Sequence, residues 1–264
     1  MFVFLKLGGS LITDKSRRRT IRPDVLEQAA AEIAAALSSN PRLKILLGHG
    51  SGSFGHISGE KYGTRDGVST IREWQGFSRV ARDAASLNHR VMKSLHSHNL
   101  PAIAFPPSSS IISRQRQITT WDLSPLKAAL HQGLIPVVFG DVCFDTRLGG
   151  TILSTEELFA SLARELNPDR ILLAGKDPGV WSDYPQCTTL IPEITPATFS
   201  KLQPALHSSQ AIDVTGGMRL KIQQMLNLIE ELPDLEVLVF SGREPGNLKR
   251  TLTGEQTGTL LIRE

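Results

Sequence analysis

The chain has 264 residues, a formal net charge of +3, and a composition of 40% hydrophobic and 21% charged residues. These proportions exclude a disordered chain, because enough apolar side chains are present to bury a sizeable core. The small positive charge is compatible with an anionic ligand but excludes the dense basic surface of a nucleic-acid-binding protein.

The two cysteines, Cys143 and Cys187, exclude a disulfide framework and favour a reducing compartment. No stretch approaches the roughly 18 apolar residues that a membrane span needs, and the first residues lack a signal-peptide layout. We therefore expect a cytosolic protein whose partners include neither nucleic acid nor membrane.

Strands and helices are predicted to alternate along the chain. Strand patterns occur at 2–7, 43–47, 102–105, 134–141, 170–175, 236–242 and 257–263. A strand or a hairpin is predicted at 111–121, and a hairpin at 142–153. Helical spacing of apolar residues occurs at 24–37, about 71–98, 124–133, 154–166, 215–232 and 247–254. This alternation predicts a mainly parallel sheet covered on both faces, and nothing resembling a linker interrupts it, so we predict one domain over 1–264.

Glycine and small polar residues follow most of the predicted strands. The segments concerned are LKLGGS (5–10), HGSGSFGH (49–56), FGD (139–141), LAGKDPGV (173–180) and SGRE (241–244). In an open α/β sheet, ligands bind at the carboxyl ends of the strands. TGGMRLK (215–221) adds glycines at a helix start, where free N–H groups attract phosphate. The sequence therefore predicts a phosphate-binding edge.

The stretch HGSGSFGH allows several interpretations. Residues 50–55 match the dinucleotide fingerprint G-x-G-x-x-G, but that motif opens a helix directly, and we predict a loop at HISGEKYGTRDG (56–67). A metal site at His49 and His56 is disfavoured by their seven-residue separation. His49 is expected to pack or to shape the loop. Three glycines beside a second glycine-rich strand end favour backbone donors for phosphate over a simple turn.

Lysines are the expected counter-charges for that phosphate. No G-x-x-x-x-G-K-[ST] motif occurs, which excludes a P-loop enzyme. Lys6 lies in a predicted strand just before GGS, Lys15 lies just after it, and Lys221 follows Gly217 in a predicted helix. A lysine in a buried strand is unfavourable unless an anion meets it, so Lys6 is the strongest candidate.

These segments carry a family resemblance. LKLGGSLITDK, GHGSGSFGH, GFSRVARDAASLNHRV, FPPSS, LIPVVFGDV and DVTGGMRLKI occur in the order typical of isopentenyl phosphate kinases, a branch of the amino acid kinase superfamily. The resemblance implies a three-layer αβα sandwich, usually a homodimer. It also implies transfer of the γ-phosphoryl group of ATP, with Mg²⁺, onto isopentenyl phosphate. It implies no metal site made by the protein itself.

The resemblance also implies roles for single residues. Lys6 and Lys15 would contact the transferred phosphoryl group, and His56 would hydrogen-bond the acceptor phosphate beside Ser51 and Gly52. The phosphate path and the nucleotide would be lined by Lys6, Gly8, Gly9, Ser10, Gly52, Lys176, Asp177, Gly179, Val180, Gly217 and Lys221. A phosphate monoester is already largely ionised near neutral pH, because its second pKa is about 6, so no strong general base is required.

Two segments depart from the family pattern. Ser154-Thr155-Glu156 stands where the family commonly has S-G-D, and we expect the Thr155 side chain to replace the glycine N–H as a donor to the acceptor phosphate. Lys176-Asp177-Pro178-Gly179-Val180 stands where the family often has D-x-D-G-V, so the nucleotide preference is open.

An isoprenoid tail requires an apolar slot beside the acceptor phosphate. The predicted helix 71–98 carries a stripe that could line it, although an ordinary core face explains each residue equally well: Phe77, Val80, Ala81 and Ala84. A kinase of another small phosphate or phosphonate, of the fosfomycin-resistance type, is the nearest alternative. A nucleotide-binding sensor without turnover is the alternative from a different class.

Overall fold

The computed structural model describes residues 1–14, 16–200 and 217–263, and of His56 the backbone alone. The strands, numbered in chain order, are β1 (Phe2–Leu7), β2 (Lys44–His49), β3 (Ala102–Ala104), β4 (Ile111–Arg114), β5 (Gln117–Trp121), β6 (Ile135–Phe139), β7 (Asp141–Asp145), β8 (Gly149–Leu153), β9 (Arg170–Gly175), β10 (Val180–Trp181), β11 (Leu190–Ile191), β12 (Glu193–Ile194), β13 (Glu236–Ser241) and β14 (Thr259–Leu261).

The helices of the same described ranges are α1 (Gly9–Ile12), α2 (Pro23–Ser39), α3 (Gly52–Tyr62), α4 (Ile71–Ser97), α5 (Ser124–His131), α6 (Thr155–Leu166), α7 (Gly217–Glu231) and α8 (Asn247–Leu252). A short 3₁₀ turn lies at Pro107–Ser109.

Within the described residues, eight strands form the central sheet in the order β12-β14-β13-β9-β1-β2-β6-β3. All neighbouring pairs in it are parallel except β13 with β14, which are antiparallel. A smaller sheet has the order β5-β4-β7-β8. It contains the hairpin predicted at 142–153, and the segment 111–121 also forms a hairpin rather than one strand. The prediction of a mainly parallel central sheet is confirmed.

Each face of the central sheet carries its own apolar core, because successive side chains of a strand point to opposite faces. Val3, Leu5 and Leu7 of β1 pack with apolar residues of α2, α4 and α8. Phe4 packs on the other face with residues of α6 and α7. The three-layer αβα arrangement predicted for the chain is therefore confirmed.

Helix α3 corrects the sequence interpretation, which placed a loop at 56–67. The helix begins at Gly52 within the glycine-rich stretch and ends at Tyr62, with Gly63 in a left-handed conformation at φ 60°. Glycine and serine have low helix propensity, so no periodic pattern marked the segment. Tertiary packing compensates, because Phe54 is buried and Gly76 of α4 lies against Tyr62, leaving no room for a side chain.

Candidate active site

A cavity open to solvent crosses the carboxyl edge of the central sheet. At one end its wall includes Gly140, after β6, and at the other end Leu261 in β14. The sheet order puts five inter-strand spacings between these two strands, or about 24 Å. Lys6 lies between them on β1, so two ligands laid end to end would meet above this strand.

Two glycine-rich loops form the floor of the cavity at its middle. A side chain at Gly9 would place its Cβ 2.4 Å from the Gly52 nitrogen, and one at Gly50 would place it 2.7 Å from the Gly9 nitrogen. Gly52 also has φ 48°, in the left-handed region that favours glycine. These contacts show that the loops after β1 and β2 need glycine to approach each other, which brings two sets of backbone N–H groups together.

A buried cluster of opposite charges forms one wall, and we call it the charged cluster: Lys6, Glu156 and Lys221. The Lys6 ammonium group donates to Glu156 Oε1, and Lys221 Nζ lies 3.9 Å from the same oxygen. Lys6 and Glu156 are buried, whereas the Lys221 side chain remains about one quarter exposed. One carboxylate therefore draws two cations to the same part of the cavity.

The local sequence explains how the charged cluster assembles. Lys6 follows Phe4 by two residues and shares its sheet face, which is the face covered by α6 and α7. Glu156 lies in the first turn of α6, whose start is determined by a capping box between Ser154 and Glu157. Lys221 lies one turn into α7. Three elements that are remote in sequence thus supply one residue each.

The two lysines determine the ionisation of Glu156. Burial by itself raises the pKa of this carboxyl group, but the charges of Lys6 and Lys221 and the hydrogen bond from Lys6 outweigh it. The pKa of Glu156 is therefore lowered, and the group is an anion at neutral pH.

Glu156 was missed as a site residue in the sequence interpretation, which considered the S-T-E segment only for Thr155. An acidic residue in the first turn of a helix has an ordinary explanation in the helix dipole. The signal that could have identified it is its place directly after a strand end, beside the carboxyl edge of the sheet.

Thr155 lines the cavity, but its side chain does not have the expected role. Its hydroxyl group donates to the His49 carbonyl at 2.7 Å, so the hydroxyl hydrogen is not directed at a phosphate. The Thr155 backbone N–H remains at the first turn of α6, where a helix start favours anions. The correction is that this helix start, rather than the hydroxyl, can face the acceptor.

His49 is a buried packing residue next to the cavity. Its ring stacks on Phe139 with an interplanar angle of 6°, and its nitrogens contact the Gly50 carbonyl and Asn88 Oδ1. Burial lowers the pKa of His49 to about 4, so the ring is neutral at physiological pH. The interpretation of His49 as a packing residue agrees with this environment.

The predicted nucleotide loop lies at the β13–β14 end of the cavity. Lys176, Asp177 and Gly179 line it, whereas Val180 is buried behind the wall and donates its N–H to Thr259. Burial and the nearby charges of Arg22 and Arg243 lower the pKa of Lys176. Apolar side chains complete this end and make it suited to a flat base: Leu173, Met218, Ile222, Val239 and Leu261.

Of the remaining predicted phosphate residues, some line the cavity and others lie behind it. Gly8, Gly9, Ser10 and Ser51 line it. Gly52 lies one layer back, where a Cβ would meet Thr13, and Gly217 opens α7 with φ 67° just before cavity residues of that helix.

The apolar stripe of α4 does not line this cavity, in contrast to the expected slot. Phe77 and Val80 are buried in an apolar cluster with Val68 and Val142, against which Ala81 packs, while Ala84 is buried on the same helix. Phe77 fills the space that a side chain at Gly150 would need. Ile152 connects the two regions, because it packs on the cluster and also lines the cavity.

Lys15 lies outside the described residues, as does the side chain of His56. The residues on both sides of Lys15 are described, and Asp14 accepts hydrogen bonds from the Ser16 N–H and hydroxyl groups. The His56 backbone belongs to α3.

The side chains around the cavity can hold a magnesium ion only if the nucleotide phosphates supply some of its ligands. Among the described residues, no group of three His, Cys, Asp or Glu side chains lies close enough to hold a metal ion. Among the described residues of the cavity wall, Glu156 and Asp177 carry carboxylates, and Glu156 contacts two lysines. Mg²⁺ commonly takes one or two carboxylates and completes its shell with phosphate oxygens and water, so Asp177 suits this role.

None of the described helices is both long enough and apolar enough to cross a membrane.

Comparison with known proteins shows the family of the chain. The model of the amino acid kinase family matches residues 1–241. Isopentenyl phosphate kinase of Methanocaldococcus jannaschii is 34% identical over 265 residues, covering 98% of each chain. That of Methanothermobacter thermautotrophicus is 32% identical over 264 residues, covering 96% of each.

A solved isopentenyl phosphate kinase structure is also similar, with 29% sequence identity and a TM-score of 0.84, covering 99% of this chain and 100% of that one. Likeness in sequence and in fold therefore extends over nearly the whole length. The chain belongs to the amino acid kinase family, in its isopentenyl phosphate kinase branch.

Proposed function

We propose that this protein transfers the γ-phosphoryl group of ATP to isopentenyl phosphate, giving isopentenyl diphosphate and ADP. The observation that carries the proposal is the charged cluster, in which Lys6 and Lys221 converge on Glu156 between two glycine-rich loops. Phosphoryl transfer depends mainly on positioning and on neutralising charge, and this arrangement provides both.

The two ends of the cavity suit two different ligands. The apolar walls near Met218, Val239 and Leu261 suit the adenine base, with Lys176 and Asp177 beside the phosphates. The opposite end, near Ser51, Gly140 and the start of α6, suits an acceptor phosphate. The phosphates would then meet over Lys6.

The roles of the chain's own residues follow from these positions. Glu156 holds Lys6 and Lys221 in place before substrate binds, and the lysines turn their donors to the phosphate oxygens when it does. Backbone N–H groups of the two glycine-rich loops bind the oxygens between donor and acceptor. Lys15 and His56 remain proposed contacts of the transferred group and of the acceptor phosphate, on the strength of the motifs that contain them.

No proton has to be removed by a strong base. The acceptor is a phosphate monoester whose second pKa is about 6, so its attacking oxygen is ionised near neutral pH. The buried neutral His49 would contribute packing and no proton transfer. Mg²⁺ bound to the nucleotide, with Asp177 beside it, would neutralise part of the phosphate charge.

An apolar acceptor is favoured over a polar one by the wall next to the acceptor end. Ile152 and Leu153 line the cavity there, and the apolar cluster of α4 packs behind Ile152. A phosphonate antibiotic of the fosfomycin type would gain little from these apolar side chains.

The test is release of ADP from ATP and Mg²⁺ over a panel of acceptors: isopentenyl phosphate, dimethylallyl phosphate, geranyl phosphate, fosfomycin, UMP and glutamate. We expect turnover with isopentenyl phosphate, and ³¹P NMR should show a diphosphate product. Turnover with fosfomycin alone would replace the proposed acceptor. Binding of ATP without turnover on any acceptor would favour a nucleotide sensor.

We also propose a homodimer in the cytosol. The homodimer rests on the family resemblance, and a reducing compartment agrees with Cys143 and Cys187 being free thiols. Light scattering coupled to size-exclusion chromatography would test the dimer, which has an expected mass of about twice 28.9 kDa.

A further inference from the structure

The loop between α1 and α2 is closed at its base by pairing of its two ends, and in sequence it includes Lys15. Thr13 pairs with Ile21 in an antiparallel bridge, and the Asp14 N–H donates to the Thr20 carbonyl at 2.9 Å. These contacts join the two ends of the segment that contains Lys15 in sequence.

Hydrogen bonds to Ser53 attach this loop to the first turn of α3. The Ser53 carbonyl accepts a hydrogen bond from the Arg19 N–H at 3.2 Å. The Ser53 hydroxyl accepts one from the Thr20 N–H, also at 3.2 Å. The Ser53 N–H donates to Thr13 Oγ1 at 2.9 Å. Thr13 on one side of the loop, and Arg19 and Thr20 on the other, are therefore all bound to Ser53 in the glycine-rich stretch 49–56.

A side-chain contact attaches the same loop to α4. Arg19 donates from Nη2 to Asp83 Oδ1, and the Asp83 side chain is only 2% exposed. The other oxygen of Asp83 has no hydrogen-bond partner among the described residues. Arg82 lies 3.6 Å from Oδ1, but two thirds of its side chain is exposed.

Two features make this pair unusual for a merely structural contact. Asp83 is the one charged residue buried in α4, a helix that is described throughout. Arg19 adopts φ 51°, a left-handed conformation that is unfavourable for a residue with a long side chain. The strained backbone of Arg19 and the buried carboxylate of Asp83 therefore lie together where the loop meets α4.

We propose that Asp83 is a positioning residue that acts through Arg19 to hold the loop between α1 and α2 against α3 and α4. The inference rests on the proposed function, because it matters for turnover only if Lys15 contacts the transferred phosphoryl group. Displacement of a positioned group by about 1 Å can slow a reaction by about a hundredfold, so loss of the pair should lower kcat more than it weakens nucleotide binding.

The test compares Arg19→Met, Arg19→Lys and Asp83→Asn with Arg18→Met, a matched control that removes the same charge from an exposed neighbour in the loop. We expect Arg19→Met and Asp83→Asn to lower kcat by about tenfold or more, with the KM for ATP changed by less than about twofold. Arg19→Lys keeps a cation for Asp83 Oδ1 and should recover much of the loss. Arg18→Met should retain the wild-type kcat.

Amide hydrogen exchange of residues 13–22 supplies a readout that is independent of turnover. It should be faster in Arg19→Met and Asp83→Asn than in the wild type and in Arg18→Met. Equal kcat and equal exchange in Arg19→Met and Arg18→Met would overturn the positioning role while leaving the proposed function intact. A kcat loss that only follows the loss of folded protein would overturn it as well. A wild type inactive on every isoprenoid monophosphate would overturn the proposed function, and hydrogen exchange would still decide whether the pair holds the loop.

Discussion

Two neighbouring regions beside the cavity are stabilised in opposite ways. The charged cluster of Lys6, Glu156 and Lys221 is held by attraction between buried or partly buried groups. The apolar cluster of Val68, Phe77, Val80 and Val142 is held by packing, with Trp74 in contact with Phe77 at its rim. Removing one buried charge leaves the other uncompensated, at a cost of about 3–5 kcal/mol, whereas apolar side chains of similar volume can replace one another at lower cost.

This difference indicates separate roles for the two regions, phosphoryl transfer for the charged cluster and acceptor preference for the apolar cluster. Charge neutralisation requires particular groups at particular positions, so the charged cluster tolerates little change. Substitutions in the apolar cluster can change its volume by as little as one methylene group, which alters the size of the acceptor that fits beside it. We therefore expect substitutions in the first region to affect turnover and those in the second to affect acceptor preference.

The largest effect is expected for Lys6→Met. This variant removes the cation at the centre of the cavity, and we expect kcat to fall by about 10²–10³-fold. Steady-state kinetics with isopentenyl phosphate would measure it. Lys44→Met is the matched control, because Lys44 is exposed at the start of the neighbouring strand β2. Equal activity of the two variants would contradict the central role of Lys6.

A somewhat smaller effect is expected for Glu156→Gln. Without the carboxylate the two lysines repel each other, and kcat should fall by about 10–100-fold. Glu156→Asp restores the charge on a shorter side chain and should recover part of the rate. Glu165→Gln, an exposed position of the same helix, should leave kcat unchanged.

Comparison of the wild type with Glu156→Gln also tests how the stability of the folded protein depends on pH. Because the pKa of Glu156 is lowered in the folded protein, its contribution is present above the unfolded value of about 4.3 and is lost as the pH falls through the folded value. The melting temperature of the wild type should therefore exceed that of Glu156→Gln at pH 7, and the difference should shrink as the pH falls below about 4.3. A constant difference across this range would show that Glu156 does not titrate as described.

Acceptor preference should change in Phe77→Ala. The ring fills space beside Gly150, so its removal opens a cavity behind Ile152. We expect kcat/KM for geranyl phosphate to rise relative to isopentenyl phosphate by about tenfold. Ile71→Ala, an exposed position at the start of α4, is the control. An unchanged ratio would place the tail elsewhere.

The smallest effect on turnover is expected for His49→Phe. The ring is neutral above a pKa of about 4, and its main contact is a stacked ring, so the kcat profile between pH 6 and 8 should keep its shape. Stability should fall by about 1–3 kcal/mol, because the Gly50 and Asn88 contacts are lost. Thermal denaturation would measure this loss of stability. If the pH profile of kcat lost one of its limbs in the variant, the result would show that His49 transfers a proton.

Much of the fold could be predicted because several strands are mainly apolar runs with glycine at or just after their ends. β1, β2 and β6 are of this kind, and the hairpins carry β-branched residues without helical period. Helix α3 could not be predicted in the same way, because its glycines have low helix propensity and its stability comes from packing on α4.

The candidate site was predictable to the extent that short motifs marked it. Lys6 and the glycine loops were recognisable from LKLGGS and HGSGSFGH. The ion pair between Lys6 and Glu156 was not, because 150 residues separate its two members. The slot expected along α4 also depended on packing, since only the fold shows that Phe77 fills that space.

By itself the sequence determined the alternation of most strands and helices, the glycine-rich strand ends and the lysines beside them, because these depend on local periodicity and on residue type. Only the tertiary structure decided which charges meet and which apolar side chains already occupy the expected slot. Glu156 became a partner of two lysines, and Asp83 a partner of Arg19, because parallel strands and packed helices bring together residues that no local pattern connects.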